Sequence, residues 1–576
     1  MTLSQDVELR IRRATLENAI AHDGTAQTGP VVGRLLATDA SLRPRAEEVR
    51  AFVSEVVAEL RGLPVDELED RLASLGGSFA APARPARTEA PDFPDLLGAV
   101  QGKVVLRLAP FPSGVLHIGN SRMLFVNQYY RERYDGKLLL AFDDTVGSAE
   151  KRIENEFFEL IQGDLELVGI HPDGVYYKSD RIPIFYGWAR RVIEKGAAYV
   201  CRCSQELLGQ NRAAGRACPE RSQTVTETLE EWEKMLGNAY GVGEATLRLR
   251  TDMSDPDPAF RDRVLFRISD IDHPRVGTKY RVWPMLEFAW AADDIELDVT
   301  HVLRGKDLVM EDRMEEYVWN VLGITGPQFL HWGILRVREA KVAKSKSYRE
   351  VKSGLYDGFA DPRTWSLRSL VRRGISMDVL RQFILSFGMS LADIEVPAET
   401  LYAENRKRID GTSVRRAFVA DPIRVEVEEY PFDLSRASLP NHPDRPELGE
   451  RSVVAGPTFF LAHRDIAAHP GEEVRLKDLV NIRLDSSVPP VGGSMRATFT
   501  SRENRKLPRL QWVGSDGGIA VDLLGLEGDH TRGIGESALA TASPGDIVQF
   551  ERVGFVRVET DWSPGSTPLR VVYGHP

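Results

Sequence analysis

From residue 1 to about 78 the apolar positions recur every three or four residues, as in LRIRRATLENAIAH and LRPRAEEVRAFVSEVVAELRGL, which predicts amphipathic helices. The segment FAAPARPARTEAPDFPD breaks that period with proline and alanine and reads as linker. At Val104 a short apolar run, VVLRLA, leads into a Pro- and Gly-containing turn. A helical segment, LFVNQYYRERY, and a second apolar run, KLLLAF, follow. Strand, turn, helix, strand in this order predicts an α/β unit with a parallel sheet. Helical periodicity dominates residues 150–240 and again 308–405. Beyond 420 the period becomes two, in IRVEVEEY, VRLKDLVNIRL and IVQFERVGFVRVE, which predicts short antiparallel strands closing into one or two barrels.

Length changes this picture only by setting its scale. At about 100–200 residues per domain, 576 residues make three to five domains. No apolar run reaches the length of a membrane span. The segment MTLSQDVELRIRR has no apolar stretch after its charges, so a secretory leader is not expected. Three cysteines cannot build a disulfide framework, and a reducing, cytoplasmic setting is expected. The net charge of −11, from 74 basic and 85 acidic residues, excludes indiscriminate nucleic-acid binding. A local basic face remains open, because phosphate contacts depend on nearby cations.

Two segments carry candidate chemistry. Pro110-Phe111-Pro112-Ser113-Gly114-Val115-Leu116-His117-Ile118-Gly119-Asn120 follows the strand VVLRLA. Its glycines permit close backbone approach to a ligand, and the N-terminus of the next helix suits a phosphate. His117 and Asn120 stand three residues apart at that helix start. The second segment, Lys341-Val342-Ala343-Lys344-Ser345-Lys346-Ser347, reads as a flexible Lys-rich loop able to neutralise a pyrophosphate leaving group, or as a solvated charge run.

Together the two segments resemble the HIGH and KMSKS signatures of class I aminoacyl-tRNA synthetases. The stretches LLLAFDDT, KYRVWPMLEFA, THVLRGKD, DPRTWSLRSLVRRGI, LYAENRKRID and HPDRPELGER extend the likeness, in order, to archaeal/eukaryotic-type glutamyl-tRNA synthetases. The resemblance implies a multidomain chain. A helical N-terminal domain (1–78) and a linker (79–98) precede a Rossmann-like α/β catalytic domain in two parts, 99–200 and 301–350. An acceptor-binding domain is inserted at 201–300. A helical connecting domain (351–418) and C-terminal antiparallel β-barrels for anticodon binding (419–576) complete it.

It also implies ATP, Mg²⁺, tRNA and L-glutamate or a related amino acid as ligands, and a monomer. By this likeness His117, Asn120, Lys344 and Lys346 are catalytic, and Pro110, Gly119 and Ser345 hold ATP. Arg107 clamps the substrate side-chain carboxylate, Asp143 meets its ammonium group, and Leu286 and Arg304 line the same pocket. Arg363, Arg368, Arg372 and Arg373, then Arg406, Lys407 and Arg408, are candidate tRNA contacts, as are Arg502, Arg505, Lys506 and Arg509 in the β region.

The chain also departs from the pattern. Asn120 replaces the second His of HIGH, and Leu286 stands where relatives place a substrate-facing Tyr. Thr145-Val146-Gly147-Ser148 drops an acid and a proline, and Leu308 replaces a His. These changes leave open a paralogue that activates a related amino acid or serves a non-translational pathway. A glutaminyl-tRNA synthetase and a non-catalytic tRNA-binding module are further alternatives. Cys201, Cys203 and Cys218, with Glu220 as fourth donor, match a zinc knuckle of the family. They read either as a structural Zn²⁺ site or as a decayed one held by packing.

Overall fold

The computed structural model describes residues 5–21, 26–38, 42, 45–75, 93–146, 153–340, 344–565 and 567–576. The chain forms two compact units, 1–90 and 91–576. In the first, the helices Gln5–Ala21, Thr28–Thr38, Ala46–Leu60 and Val65–Ser74 turn their apolar stripes inward. Ile11, Val31, Leu35, Val49 and Val53 form one cluster; Leu16, Val56, Leu60, Leu68 and Leu72 form another.

The second unit opens on a parallel sheet of β1 (Val105–Leu108), β2 (Lys137–Phe142) and β3 (Gly174–Tyr177). Register runs from Val105 opposite Lys137 to Leu108 opposite Leu140. The strand His301–Gly305 starts beside the start of β1, where Thr300 N donates to Val105 O at 3.0 Å, and it pairs in parallel with Gln328–Trp332. The helix Ser121–Arg133 packs across this layer. Its Arg122 is buried and donates to Gly333 O (2.8 Å) and Gly388 O (2.6 Å), tying three segments together. Between the two parallel sets lies a four-stranded antiparallel sheet formed by Ala198–Cys201, Thr246–Leu249, Val264–Ile268 and Val282–Pro284. Thus β3 and Ala198–Cys201 fall inside a stretch whose pattern reads as helical; strands of four residues are too short to impose a period of two.

The C-terminal region holds two seven-stranded, nearly closed barrel-like sheets. They are mixed where the pattern predicts antiparallel pairing. Pro422–Glu428 runs parallel to Ser494–Ser501, and Ile519–Leu524 parallel to Leu569–His575. The edges explain this. In one sheet the outermost strands are Val414–Arg416 and Phe418–Ala420; in the other they are Arg509–Leu510 and Trp512–Gly514. One continuous segment therefore lines both edges of each sheet, which closes a barrel at the cost of parallel pairs.

Candidate active site

The turn after β1 is held from both sides. Asp143 N donates to Pro110 O (3.1 Å), which ties the end of β2 to the start of the turn. His117 and Asn120 cap each other: Gly119 N donates to His117 Nδ1 (3.1 Å) and His117 N to Asn120 Oδ1 (3.2 Å). Because Nδ1 accepts, a neutral imidazole here carries its proton on Nε2. Residues 116–118 are clasped by a distant segment of the same chain: Ile118 N donates to Trp365 O (3.1 Å) and Leu367 N to Leu116 O (3.0 Å). Trp365 is in the left-handed region at φ 51°, a strained backbone for a bulky residue, and it is buried. Below the turn, Asp164 accepts from Leu116 N (2.8 Å) and from Arg368 Nε (2.6 Å). Gly119 is exposed at the head of the following helix.

The Lys-rich segment differs from its expected form. Residues 341–343 lie outside the described residues, as do the side chains of Lys344, Ser345 and Lys346. Lys344–Lys352 is a helix and not a loop. Contacts from its later turns stabilise it: the Tyr348 ring meets Phe157 edge-on at 5.5 Å, and Lys352 Nζ pairs with Glu156 at 3.0 Å. Lys344 and Lys346 therefore occupy a first turn that contains no acidic residue. Cations are disfavoured at a helix N-terminus unless an anion is bound there.

Arg107, Asp143 and Arg304 converge on one buried cluster centred on Trp290. The Arg107 and Arg304 guanidinium carbons lie 5.1 and 4.9 Å from the Trp290 ring, and Lys178 Nζ lies 5.1 Å from it. Each cation already has a partner within the chain. Arg107 forks onto Asp294, with Nη2 to Oδ2 at 2.9 Å. Lys178 Nζ donates to Asp143 Oδ1 (3.0 Å). Arg304 Nε donates to Asp312 (2.7 Å) and its Nη2 to Glu315 (2.7 Å). So Arg107 is not an open clamp, and Asp143 is already neutralised by a lysine.

The chemistry beside the cluster is set by burial. Burial pushes the Asp144 carboxyl up to about 6, although Ser179 donates to it through both its N and its Oγ. Burial holds His273 below the ordinary histidine range; its Nε2 donates to Asp144 O at 2.7 Å. Among the departures, Val146 is buried in the core around Trp283, Leu286 begins the helix Leu286–Glu296, and Leu308 ends a single 3₁₀ turn. Gly147 and Ser148 lie outside the described residues.

The thiols of Cys201, Cys203 and Cys218 lie within 4.8 Å of one another. Glu220, the expected fourth donor, is not in that group; the 3₁₀ turn Pro219–Ser222 carries it elsewhere. Instead Arg248, fully buried, donates through Nη1 to Cys218 Sγ (2.9 Å) and Cys201 Sγ (3.6 Å).

Most of the candidate tRNA arginines are paired within the chain: besides Arg368 on Asp164, Arg502 pairs with Asp433 and Arg505 with Glu473. Arg363 Nη2 pairs with Asp361 at 2.8 Å, and Arg372 Nε donates to Glu559 (2.5 Å). Arg373 is buried and donates to Tyr402 Oη (2.6 Å) and Gly574 O (2.9 Å). Arg373 fastens the helical region to the final strand, Leu569–His575, and is buried by it, whereas Arg372 ties to Glu559 just after the preceding strand. Arg406 bonds Pro576 O (2.8 Å), whereas Lys407 and Arg408 are exposed. Sequence reasoning named no residue for the cavity of about 210 Å³ between the two barrel-like sheets. Arg415, Arg451, Gln511 and Glu536 line it, and Gln511 Oε1 is buried there without a hydrogen-bond partner. Its walls come from strands about 100 residues apart, so no contiguous motif announces it.

Comparison with known proteins gives a consistent result. Residues 103–411 match the family model of the catalytic domain of class I tRNA synthetases (E and Q); residues 413–499 and 510–559 match the anti-codon binding domains of the same class. A glutamate–tRNA ligase of Methanopyrus kandleri is 38% identical over 99% of this chain and 100% of its own length. One from Pyrococcus furiosus is 38% identical over 96% and 97%, and one from Methanocella arvoryzae 36% over 97% and 98%.

Proposed function

The chain belongs to the class I tRNA synthetases of the glutamate and glutamine branch, and from that premise we propose that it joins L-glutamate to tRNA(Glu). The glutamate α-carboxylate attacks the α-phosphate of ATP and pyrophosphate leaves. The 3′-terminal ribose hydroxyl of the tRNA then attacks the acyl carbonyl and AMP leaves. The observation that carries this reading is the clasped turn, in which His117 and Asn120 cap the helix start at the carboxyl end of β1. Ligands of open parallel sheets bind at that end. In this reading His117 Nε2–H and the Asn120 amide donate to the triphosphate, with Pro110 and Gly119 shaping the turn. Lys344 and Lys346 neutralise charge on the departing pyrophosphate, and Ser345 contributes to holding ATP. Mg²⁺ bound with ATP supplies further positive charge to the phosphates.

Charging of total tRNA with labelled glutamate tests this, with glutamine, aspartate and no amino acid as controls. Glutamate alone is expected to be esterified. Charging by glutamine or aspartate instead would favour the second reading, a paralogue for a related amino acid, which rests on Leu286 and on the internal pairing of Arg107 and Arg304. In the same assay Gln511→Ala is expected to raise the KM for tRNA and leave that for glutamate unchanged, because an unstacked base fits the inter-barrel cavity.

The thiol cluster fits zinc in part. Three thiolates, a divalent ion and the Arg248 guanidinium balance to zero charge, which suits a buried site. Without an ion, burial, then the neighbouring thiols, push the Cys203 thiol far above its ordinary range. Cys201, Cys203 and Cys218 would hold the ion and fix the inserted sheet. About one equivalent of zinc per chain is expected by elemental analysis after chelator washing. Folded protein without zinc would leave the thiols and Arg248 to hold the site alone.

A further inference from the structure

Among the described residues three buried polar atoms have no partner here: Trp290 Nε1, Nη1 of Arg304, whose guanidinium lies 4.9 Å from the Trp290 ring, and Oε2 of Glu315, which pairs with Arg304. Buried polar atoms are paired in the great majority of cases, so three orphans on Trp290, Arg304 and the carboxyl that Arg304 holds call for a partner. Two of them are donors and the third is a carboxyl oxygen. Glu315 is wholly buried in the helix Val309–Leu322, with Oε1 held by Arg304 Nη2 at 2.7 Å. It faces Arg304 on the strand His301–Gly305, Arg107 on β1 and Asp294 on the helix Leu286–Glu296. On its own helix Asp312 shares Arg304 and lies 2.6 Å from His331 of the strand Gln328–Trp332. An acidic substrate group arriving at Arg304 Nη1 is therefore a third carboxyl on one guanidinium, beside Asp312 and Glu315 and out of water. Carboxylates so placed do not all stay ionised.

We propose that Glu315 sets the pocket's selectivity for an acidic amino acid: it holds a proton when glutamate is bound, and its Oε2–H donates to the substrate carboxylate that Arg304 Nη1 and Trp290 Nε1 also hold. The proton comes from solvent and returns there on release. This deepens the glutamate reading and rests on it. Burial supports the assignment by raising the Glu315 carboxyl well above the ordinary carboxylate range; Asp294 adds to that, against Arg304 and Arg107.

The test is the pH dependence of glutamate and ATP KM in tRNA-dependent pyrophosphate release, from about pH 6.5 to 9, for the native chain and Glu315→Gln. Because one proton is held per glutamate bound, the native KM for glutamate rises about tenfold per pH unit once Glu315 ionises, while the KM for ATP stays level. Glu315→Gln, neutral throughout, shows a level glutamate KM. A level native profile overturns the proposal, as does a Glu315→Gln profile that rises like the native one. Those outcomes leave the glutamate reading intact. No glutamate-dependent release from either protein at any pH overturns both, and the native profile decides alone if the variant does not fold.

Discussion

Arg107→Ala is expected to lower the unfolding free energy by about 3–5 kcal/mol, the usual effect of removing one partner of a buried ion pair. Arg107 and Asp294 are both buried, and the pair spans 187 residues, from β1 to the helix Leu286–Glu296. Alanine removes the fork and leaves the Asp294 carboxylate in a dry site beside Trp290. Denaturant unfolding followed by tryptophan fluorescence reads the change directly. Arg107→Ala, Asp294→Ala double substitution should recover part of the loss, because no charge is then left alone. A single variant as stable as the native chain, with only its glutamate KM raised, would make Arg107 an open substrate clamp and the Asp294 pair incidental.

Lys346→Ala should lower kcat for glutamate activation by about 10²–10³-fold, the range for removing one preorganised charge from a developing anion. The KM for glutamate should change little, because the amino-acid cluster around Trp290 is built from other elements. The backbone gives the reason to expect this. Lys344 and Lys346 sit in the first turn of the helix Lys344–Lys352, where the helix dipole repels cations and the turn itself contains no acidic residue. That arrangement is favourable only with an anion present. Tryptophan-monitored binding and single-turnover rates separate the two quantities. Equal losses in ATP binding and in rate would assign Lys346 to ground-state binding alone.

The elements nearest in sequence were the most legible. β1, the His117–Asn120 turn and the helix after it follow one another without interruption, so period, glycine and cap all speak about the same few residues. The barrel strands were legible for the same reason, but their mixed pairing was not: parallel partners such as Pro422–Glu428 and Ser494–Ser501 are brought together by closure, which leaves no local trace. The amino-acid cluster shows the limit most clearly. Arg107 and Arg304 could be singled out from the residues around them, yet Asp294, Asp312 and Glu315 determine what those arginines can still bind. Glu315 lies on a helix whose sequence, VMEDRMEEYVWNVL, reads as an ordinary amphipathic surface. In the same way Arg372 and Arg373 look like a basic patch until Glu559 and the last strand are placed against them.

The Trp365 clasp puts the nucleotide turn and the anticodon region in mechanical series. Trp365 O holds Ile118 N, the Trp365 ring lies 4.8 Å from the Arg373 guanidinium, and Arg373 holds Gly574 in the final strand. A displacement of that strand would reach the turn through Trp365 and Arg373, the first of which already holds a strained backbone. Linkage makes such transmission symmetrical. Whatever factor tRNA docking contributes to nucleotide affinity, a filled nucleotide turn returns to tRNA affinity, and weakening the clasp at Trp365 would change both coupling factors equally.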